Sequence, residues 1–215
     1  MIDRYRGLAP FYDIFVDWKK RLNGEMPFLL DECRADSKAG CRVLDIGCGP
    51  GHHLAAFMRA GCRAEGLEPS PFLRKLARIN AMGAIIHRNG MASLGRLAFK
   101  RGPWDFLICL GNTVAHLNPA GLNTFLKDIA AAMKPDGKAV LHLLNYQKIM
   151  QTKPAGLPDK LVLHEGETWR FVRTYRYRQK SLDFRLEVFK GRFKISENHE
   201  RLYPITVHQL ESGSA

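Results

Sequence analysis

Apolar positions in the first 150 residues form short runs that alternate with stretches of helical spacing. The runs are of the kind that build buried parallel strands, and they lie at 43–46, 84–86, 104–110 and 139–144, with one more short strand within 61–68. Helical spacing separates them, at 54–58, 73–79 and 122–133. Strands that alternate with helices are typical of an α/β fold, so we predict a Rossmann-like, mostly parallel sheet with flanking helices.

The two ends of the chain follow other patterns. Residues 8–22 predict one amphipathic helix with an inner side of Leu8, Phe11, Tyr12, Phe15, Val16 and Leu22. From Leu161 onward, aromatic and β-branched residues form strand-like segments at 161–163, 168–178, 182–189 and 192–195, which predict an antiparallel meander. We therefore expect a main domain over residues 1–150 and a small antiparallel C-terminal lobe over residues 151–215.

Alternation within 168–178 predicts two different faces for one strand. One face carries Trp169, Phe171, Arg173, Tyr175 and Tyr177, and the other carries Arg170, Val172, Thr174, Arg176 and Arg178. Mixed basic and aromatic side chains could hold an anionic substrate or stack bases. The interpretation that we favour is a half-exposed sheet face that covers a pocket.

Composition limits the class of protein. The 215 residues, 46% of them hydrophobic, are enough for one good core. No stretch is apolar and long enough to span a membrane, and Asp3, Arg4 and Arg6 argue against a signal peptide, so we expect a cytoplasmic protein. Its five cysteines show no paired metal spacing, which favours reduced, mostly buried thiols and no metal site.

The formal charge of +12 is spread along the chain. Residues 1–145 hold 20 basic and 13 acidic side chains, and residues 146–215 hold 13 basic and 8 acidic ones. A strongly basic protein can bind nucleic acid, but this sequence has no basic tail, so the charge supports anionic partners only weakly.

The strand at 43–46 runs directly into the glycine-rich turn Gly47-Cys48-Gly49-Pro50-Gly51, and a helix follows. Glycines at such a turn permit positive φ and close approach of a ligand, and the N–H groups that open the helix attract polar or anionic groups. The turn therefore predicts a nucleotide pocket. The dinucleotide fingerprint is disfavoured because His52 occupies its third glycine position, and no Gly-Lys-Ser/Thr ending indicates a triphosphate loop.

Asp45 followed by the Gly-x-Gly-x-Gly turn resembles the first motif of the class I S-adenosylmethionine-dependent methyltransferases. Glu68, at the end of the second strand, stands where that family has its ribose-binding acid. The resemblance implies S-adenosylmethionine as cofactor, with contacts from Asp45, Gly47, Cys48, Gly49, Gly51 and Glu68. It also implies adenine contact near Asn89, Gly90 and Met91, where the family often has an aspartate instead of Asn89.

The segment Cys109-Leu110-Gly111-Asn112-Thr113-Val114-Ala115-His116-Leu117 is similar to the glycine and sarcosine N-methyltransferase group. By that resemblance Leu110 and Gly111 border the cofactor, while Asn112 and His116 line the active site. The same group has an Asn-Tyr pair near the acceptor, which implies substrate contact by Asn145 and Tyr146.

The segment 5–13 resembles the N-terminal helix that covers the cofactor in small-molecule methyltransferases, which implies that Tyr12 faces the methyl donor. We thus expect Tyr12, Asn112 and His116 to be the catalytic residues. Other interpretations stay open, because Tyr12 suits an aromatic cap on the core equally well and His116 could be structural.

Several classes of methyltransferase are disfavoured. The segment 111–114 lacks the Asn/Asp-Pro-Pro-aromatic sequence common in enzymes that methylate amino groups of bases, and Cys109 lies in an apolar strand without the preceding proline typical of a cytosine C5 nucleophile. No cluster of carboxylates indicates a metal-dependent O-methyltransferase.

We predict an enzyme that transfers a methyl group from S-adenosylmethionine to a small molecule, with an amine as the favoured acceptor. The alternative is a non-catalytic or RNA-associated protein that keeps the fold. Relatives continue beyond a phrase like 200–206 into a helix and two final strands, whereas this sequence ends at Ala215 in the loose segment 212–215. Either the sequence is shortened, or the sheet is smaller and another chain, such as a second copy in a homo-oligomer, covers its edge.

Overall fold

A computed structural model describes residues 5–33 and 40–212. Asp3 and Arg4, which entered the argument against a signal peptide, and residues 213–215 of the predicted loose end lie outside these ranges. No helix in the described ranges has the length and apolar character that crossing a membrane requires.

Five parallel strands form the central sheet in the order β3-β2-β1-β4-β5. Their bounds are β1 Arg42–Ile46, β2 Arg63–Leu67, β3 Ile85–His87, β4 Trp104–Cys109 and β5 Met133–Leu141. The strand order reverses between β1 and β4, and a crevice for a ligand forms at such a reversal, beyond the carboxyl ends of the strands.

Eight α-helices are found in the described residues. They are α1 Tyr12–Phe15, α2 Trp18–Cys33, α3 His52–Arg59, α4 Pro71–Asn80, α5 Leu94–Arg101, α6 Pro119–Ala132, α7 Tyr146–Thr152 and α8 Val207–Ser212. Short 3-10 turns occupy Ala9–Phe11, Met91–Ser93 and Thr113–His116. Apolar side chains of the helices pack on both faces of the parallel sheet, with Val43, Phe57 and Phe106 on one side and Leu44, Trp104 and Phe125 on the other.

The second sheet is the predicted antiparallel meander. Its strands are β6 Gly156–His164, β7 Glu167–Tyr177, β8 Leu182–Lys190 and β9 Phe193–Leu202, paired in sequence order. The aromatic face of β7 turns inward, where Phe171 is fully buried and its ring centroid lies 5.1 Å from that of Phe15. The predicted α/β fold with a small antiparallel lobe is therefore confirmed.

The prediction of one helix over residues 8–22 is wrong. Val16 adopts an extended conformation (φ −100°, ψ 119°) that ends α1. The Asp17 side chain then accepts a hydrogen bond from the backbone N–H of Lys20 at 3.0 Å, the contact that an N-terminal cap makes, and α2 runs on to Cys33. The break matters because it lets α2 begin at the carboxyl ends of the parallel strands, where Arg21 lies beside Gly111, and end at their amino ends, where Cys33 is bonded to Cys41.

The fifth strand also differs from the prediction. It begins at Met133, with an irregularity between Met133 and Lys138 where we predicted a turn, and it ends at Leu141. Backbone hydrogen bonds continue one residue further. The N–H of His142 donates to the carbonyl of Cys109, and the carbonyl of His142 accepts from the N–H of Asn112. This pairing fixes the chain that follows β4.

The prediction of five reduced cysteines is wrong for two of them. Cys33, at the end of α2, and Cys41, just before β1, form a disulfide with their Cα atoms 6.7 Å apart. The fold brings the two ends of this segment together, which no pattern in the sequence reveals. Cys48, Cys62 and Cys109 are free and buried, as expected.

An ion-pair cluster around the buried Glu65, in the middle of β2, predicts loss of stability in acid. Burial raises the pKa of Glu65, but hydrogen bonds from His87 and Arg42 and the charge of Arg101 outweigh it and hold that pKa at about 2. Because the folded pKa lies below the ordinary value near 4.5, this stabilisation is complete above pH 4.5 and is lost as pH falls towards 2.

We expect Glu65→Gln to lower the free energy of unfolding at pH 7 by about 1–2 kcal/mol. Urea unfolding between pH 7 and pH 3 measures this, and the gap between the two proteins should narrow as the pH falls. A gap that stays constant over that range would contradict the assigned pKa.

Candidate active site

Three glycines shape the turn after β1, each for a different reason. Gly47 and Gly51 have φ of +77° and +83°, and a Cβ on them would lie 2.6 Å from Thr113 Cγ2 and 2.9 Å from Ala77 Cα. Gly49 has φ of +54°, and a Cβ there would have no neighbour within 4 Å among the described residues. The first and third glycines are thus required by packing, whereas Gly49 borders open space that a ligand can enter.

Four N–H groups of this turn are hydrogen-bonded within the chain. Gly47 and Cys48 both donate to the carbonyl of Leu67, at 2.7 and 3.2 Å, and Gly51 donates to the carbonyl of Cys48. The Gly49 N–H donates to Oε2 of Glu68 at 3.0 Å. The turn is therefore tied to the end of β2, and Glu68 is part of the tie.

Glu68 lies at the carboxyl end of β2, as predicted, with 3% of its surface exposed. Its other oxygen accepts a hydrogen bond from the N–H of Ser70 at 2.7 Å. Two backbone donors thus fix the orientation of this carboxylate beside the opening at Gly49. A carboxylate so placed can accept hydrogen bonds from a pair of ribose hydroxyls.

Asp45 lies within β1, one residue before its end, with 2% of its surface exposed. Burial raises the pKa of its carboxyl group to about 8, with the charges of Glu68 and Glu25 adding to the rise and that of Arg21 opposing it. A buried carboxyl group whose ionised form is disfavoured is well suited to bind an ammonium group, because the added positive charge restores the ionised form.

Arg21 is a site residue that the sequence analysis missed. Its Nε–H donates to both oxygens of Glu25, at 3.0 and 3.1 Å, and His53 bonds to the same carboxylate at 2.8 Å. The terminal nitrogens lie beside Gly111, where a Cβ would be 3.5 Å from one of them. A guanidinium held in this way can pair with a ligand carboxylate.

The packing of α2 on α3 positions Arg21 beside Gly111. The Trp18 indole donates to Oδ1 of Asp13 at 2.8 Å, and its ring centroid lies 4.4 Å from that of His52 on α3. A guanidinium on the helical face next to Trp18 gives no signal in the sequence, because its role depends on where α2 crosses the sheet.

Tyr12, a predicted catalytic residue, lies in the same region. Its ring stacks on Trp18 with centroids 6.2 Å apart. Burial raises the pKa of its hydroxyl, the charge of Arg21 lowers it, and Glu68, Asp13 and Asp45 raise it further. Tyr12 can therefore both cap the core and lie near the predicted cofactor residues.

The predicted adenine contacts follow β3. Asn89 is exposed, Gly90 lies against Pro69, and Met91 is half-buried at the start of a 3-10 turn. They lie beside Glu68, whose N–H donates to the carbonyl of His87 at 3.0 Å. Their contact with adenine stays a prediction.

Beyond β4 the chain takes two left-handed residues, Gly111 (φ +66°) and Asn112 (φ +69°). The Asn112 amide donates to the hydroxyl of Tyr146 at 2.8 Å and accepts from the N–H of Leu144. Leu110 is buried next to Gly111, and its carbonyl accepts from Thr113. These contacts join the ends of β4 and β5 into one wall.

The two predicted substrate residues have different surroundings. The Tyr146 ring is buried, and its hydroxyl group accepts a hydrogen bond from Asn112. The Asn145 side chain caps α7 by accepting a hydrogen bond from the N–H of Lys148 at 2.9 Å. Both side chains thus have structural contacts, and their role towards a substrate stays a prediction.

His116 connects the parallel sheet to both ends of the chain. Its Nε2 is hydrogen-bonded to the Tyr5 hydroxyl at 2.9 Å, and its Nδ1 lies 3.5 Å from Oε2 of Glu200 on β9. Burial raises the pKa of Tyr5 well above its usual range, with the charges of Tyr12 and Glu200 adding to the effect. Tyr5 therefore keeps its proton and can donate it to His116, which favours the imidazole tautomer with its own proton on Nδ1, towards Glu200.

A cavity of about 600 Å³ lies next to His116, and residues of β8 and β9 form much of its lining. Its lining is mainly polar and consists of His116, Asn118, Asp183, Phe184, His199, Glu200, Arg201 and Tyr203. Tyr5 and Glu200 were not found from the sequence, since they lie 111 residues before and 84 residues after His116 and only the fold brings them together.

Comparison with known proteins agrees with this geometry. Residues 43–137 match the methyltransferase domain family. The crystal structure of DesVI from Streptomyces venezuelae superposes with a TM-score of 0.77 at 17% identity, over 99% of this chain and 89% of that one. The matched segment, less than half of the chain, is therefore similar to methyltransferase domains. The resemblance to class I S-adenosylmethionine-dependent methyltransferases is thus confirmed.

Two curated relatives have related sequences. The glycine/sarcosine/dimethylglycine N-methyltransferase of Actinopolyspora halophila is 29% identical over 150 residues, which are 68% of this chain and 26% of that protein. The dTDP-3-amino-3,6-dideoxy-alpha-D-glucopyranose N,N-dimethyltransferase of Streptomyces fradiae is 30% identical over 138 residues, 62% of this chain and 52% of that protein. The chain thus spans about a quarter and about half of these relatives.

Proposed function

We propose that this methyltransferase transfers the methyl group of S-adenosylmethionine to the amine nitrogen of a small molecule. The observation that carries the proposal is the arrangement of four groups along one sheet edge, which matches the parts of that cofactor. Glu68 suits the ribose hydroxyls, Asp45 suits the ammonium group, Arg21 suits the carboxylate, and Gly49 leaves space between them.

The bound cofactor supplies an activated methyl group, so the protein's task is to align the acceptor and exclude water. A primary or secondary amine that arrives as its ammonium ion must lose a proton before its nitrogen can attack the methyl group. The chain Tyr5–His116–Glu200 offers a route for that proton, because His116 bonds to Tyr5 on one side and faces the Glu200 carboxylate on the other. Tyr12 would contact the acceptor, and Asn112 would fix the wall of the site that the ends of β4 and β5 form.

An amine is favoured over a hydroxyl acceptor for two reasons. Glu200, in the cavity beside His116, suits a positively charged group, whereas Asp183 in the same cavity is paired with Arg178 and Arg201. The two curated relatives described above are named for methylation of nitrogen, and other relatives of 28–30% identity are named ubiquinone biosynthesis O-methyltransferases.

The proposal extends to the whole chain. Residues 1–150 would bind the cofactor, and residues 151–215 would cover the acceptor. A cytoplasmic location and a homo-oligomer remain part of the proposal, and light scattering on purified protein tests the second.

The direct test is calorimetry with S-adenosylmethionine and its demethylated product, followed by incubation of the labelled cofactor with separate pools of amines and of hydroxy compounds. We expect heat from both cofactor forms and label in the amine pool. Label only in hydroxy compounds would overturn the acceptor class. Absence of cofactor binding together with steeply salt-dependent RNA binding would favour the non-catalytic alternative.

Asp45 predicts that cofactor binding releases a proton at pH 7. Below its pKa of about 8 the carboxyl group is mostly protonated in the free protein, and a bound ammonium group favours the ionised form. Calorimetry at pH 7 in buffers of different ionisation enthalpy should show release of up to one proton, which Asp45→Asn abolishes. Equal heats in all buffers for the unaltered protein would contradict the role assigned to Asp45.

A further inference from the structure

Three cysteines converge at the edge of the sheet opposite the active site. Cys33 ends α2, Cys41 precedes β1 and Cys62 precedes β2, and their sulfurs all lie within 4.8 Å of one another. The Sγ atoms of Cys33 and Cys62 are 3.8 Å apart. All three residues are buried, with 6%, 2% and 6% of their surfaces exposed.

The fold creates this cluster from distant parts of the chain. Strands β1 and β2 are adjacent and parallel, with Arg42 opposite Arg63, so the residues that precede them lie side by side. The N–H of Arg63 donates to the carbonyl of Cys41 at 2.8 Å, which fixes this alignment. Cys33, the last residue of α2, is the third member of the cluster.

Three cysteine sulfurs form a donor set for a thiophilic metal ion. Zinc binds thiolates at about 2.3 Å, and tetrahedral angles then place two sulfurs about 3.8 Å apart. That is the distance between Cys33 and Cys62. The third sulfur, Cys41, is bonded to Cys33 in the disulfide and becomes a ligand only after reduction.

We propose that the sulfurs of Cys33, Cys41 and Cys62, once the Cys33–Cys41 disulfide is reduced, bind one thiophilic divalent metal ion of the zinc and cadmium class. A dithiol reductant supplies two electrons and two protons, the S–S bond breaks into two thiols, and the reductant becomes a disulfide. The ion then displaces the thiol protons as it binds.

A cavity of about 290 Å³ gives access to this cluster. It is lined by Cys33 and Cys41 and also by the acidic residues Glu32, Asp105 and Asp136, together with two lysines. A carboxylate or a water molecule from this cavity can occupy the fourth position of a tetrahedral ion. The ion would join α2 to the amino ends of β1 and β2, the connection that the disulfide makes in the oxidised protein.

The test uses the full chain, freed of metal and reduced with a dithiol that is then removed without air. Titration with Cd²⁺ should give one ion per chain by native mass spectrometry and a sulfur-to-cadmium absorption band in the ultraviolet. Cys62→Ser should weaken binding at least tenfold and reduce the band by about a third, since one of three thiolates is lost. Cys109→Ser, which alters a buried cysteine outside the cluster, should change neither.

The oxidised chain, with its disulfide verified by mass, should bind at least tenfold more weakly than the reduced chain. If Cys62→Ser fails to fold by circular dichroism, Cys41→Ser serves as the second variant, and its weakened binding should no longer depend on the redox state. The proposal is overturned if the reduced protein shows no stoichiometric band, or if a folded cluster variant binds as tightly as the unaltered protein. Neither result depends on methyl transfer, so the proposed function is tested separately.

Discussion

Glu68→Gln is expected to weaken S-adenosylmethionine binding by about 10²–10⁴-fold. The carboxylate lies at the carboxyl end of β2, buried and oriented by the N–H groups of Gly49 and Ser70, so a bound ribose would share an acceptor that already has a fixed position. Each hydrogen bond to a charged group contributes about 1.5–3 kcal/mol, and two ribose hydroxyls are involved. Calorimetric titration with the cofactor measures the loss.

Glu65→Gln is the matched control for this variant, because it changes a buried acid in the middle of β2, three residues before Glu68, that bonds to Arg42 and His87 and not to the glycine turn. It should lower the melting temperature and leave the dissociation constant of the cofactor unchanged. Glu68→Gln with unaltered cofactor affinity would remove the main support for the proposed binding mode.

His116→Gln is expected to lower kcat by about 10²–10⁴-fold, the range for loss of general acid–base assistance. The substitution removes the group between Tyr5 and Glu200, while the residues around Gly49 are untouched. Cofactor affinity should therefore change little, and the dependence of kcat on pH near neutrality should disappear. Initial rates across pH 6–9 with an accepted amine provide the measurement.

His199→Gln offers a comparison from the same cavity, because His199 is mostly exposed and pairs only with Glu197 among the described residues. It should retain the kcat and the pH profile of the unaltered protein. A purely structural His116 would show a different outcome, with a lowered melting temperature and weaker cofactor binding but an unchanged pH profile.

Local patterns were sufficient for most of the fold because each predicted element has a cause close to it in the chain. Buried strands such as β1 and β4 are continuous apolar runs, and α4 begins at Ser70, whose side chain accepts from the N–H of Leu73. The N-terminal helix was predicted wrongly because the cap formed by Asp17 competes with the continuous apolar spacing around it.

The candidate site likewise contains some residues that the sequence predicted and others that it did not. The glycine turn and Glu68 each follow a strand directly, so their position at one sheet edge follows from the parallel order of the strands. Arg21, Tyr5 and Glu200 have no such neighbour in the sequence. Their roles depend on where α2 and the antiparallel sheet pack, which long-range contacts determine.

The sequence by itself determined the alternating strands and helices, the antiparallel lobe and the cofactor-binding edge, because hydrophobic period and glycine conformation act over a few residues. Only the tertiary structure decided which distant side chains share a site. Arg21 reaches Gly111, Tyr5 and Glu200 meet at His116, and three cysteines with no metal-like spacing converge below β1 and β2. Such contacts depend on how whole elements pack. Burial of apolar faces sets that packing, and it leaves no periodic signal in the sequence at the polar residues that are brought together.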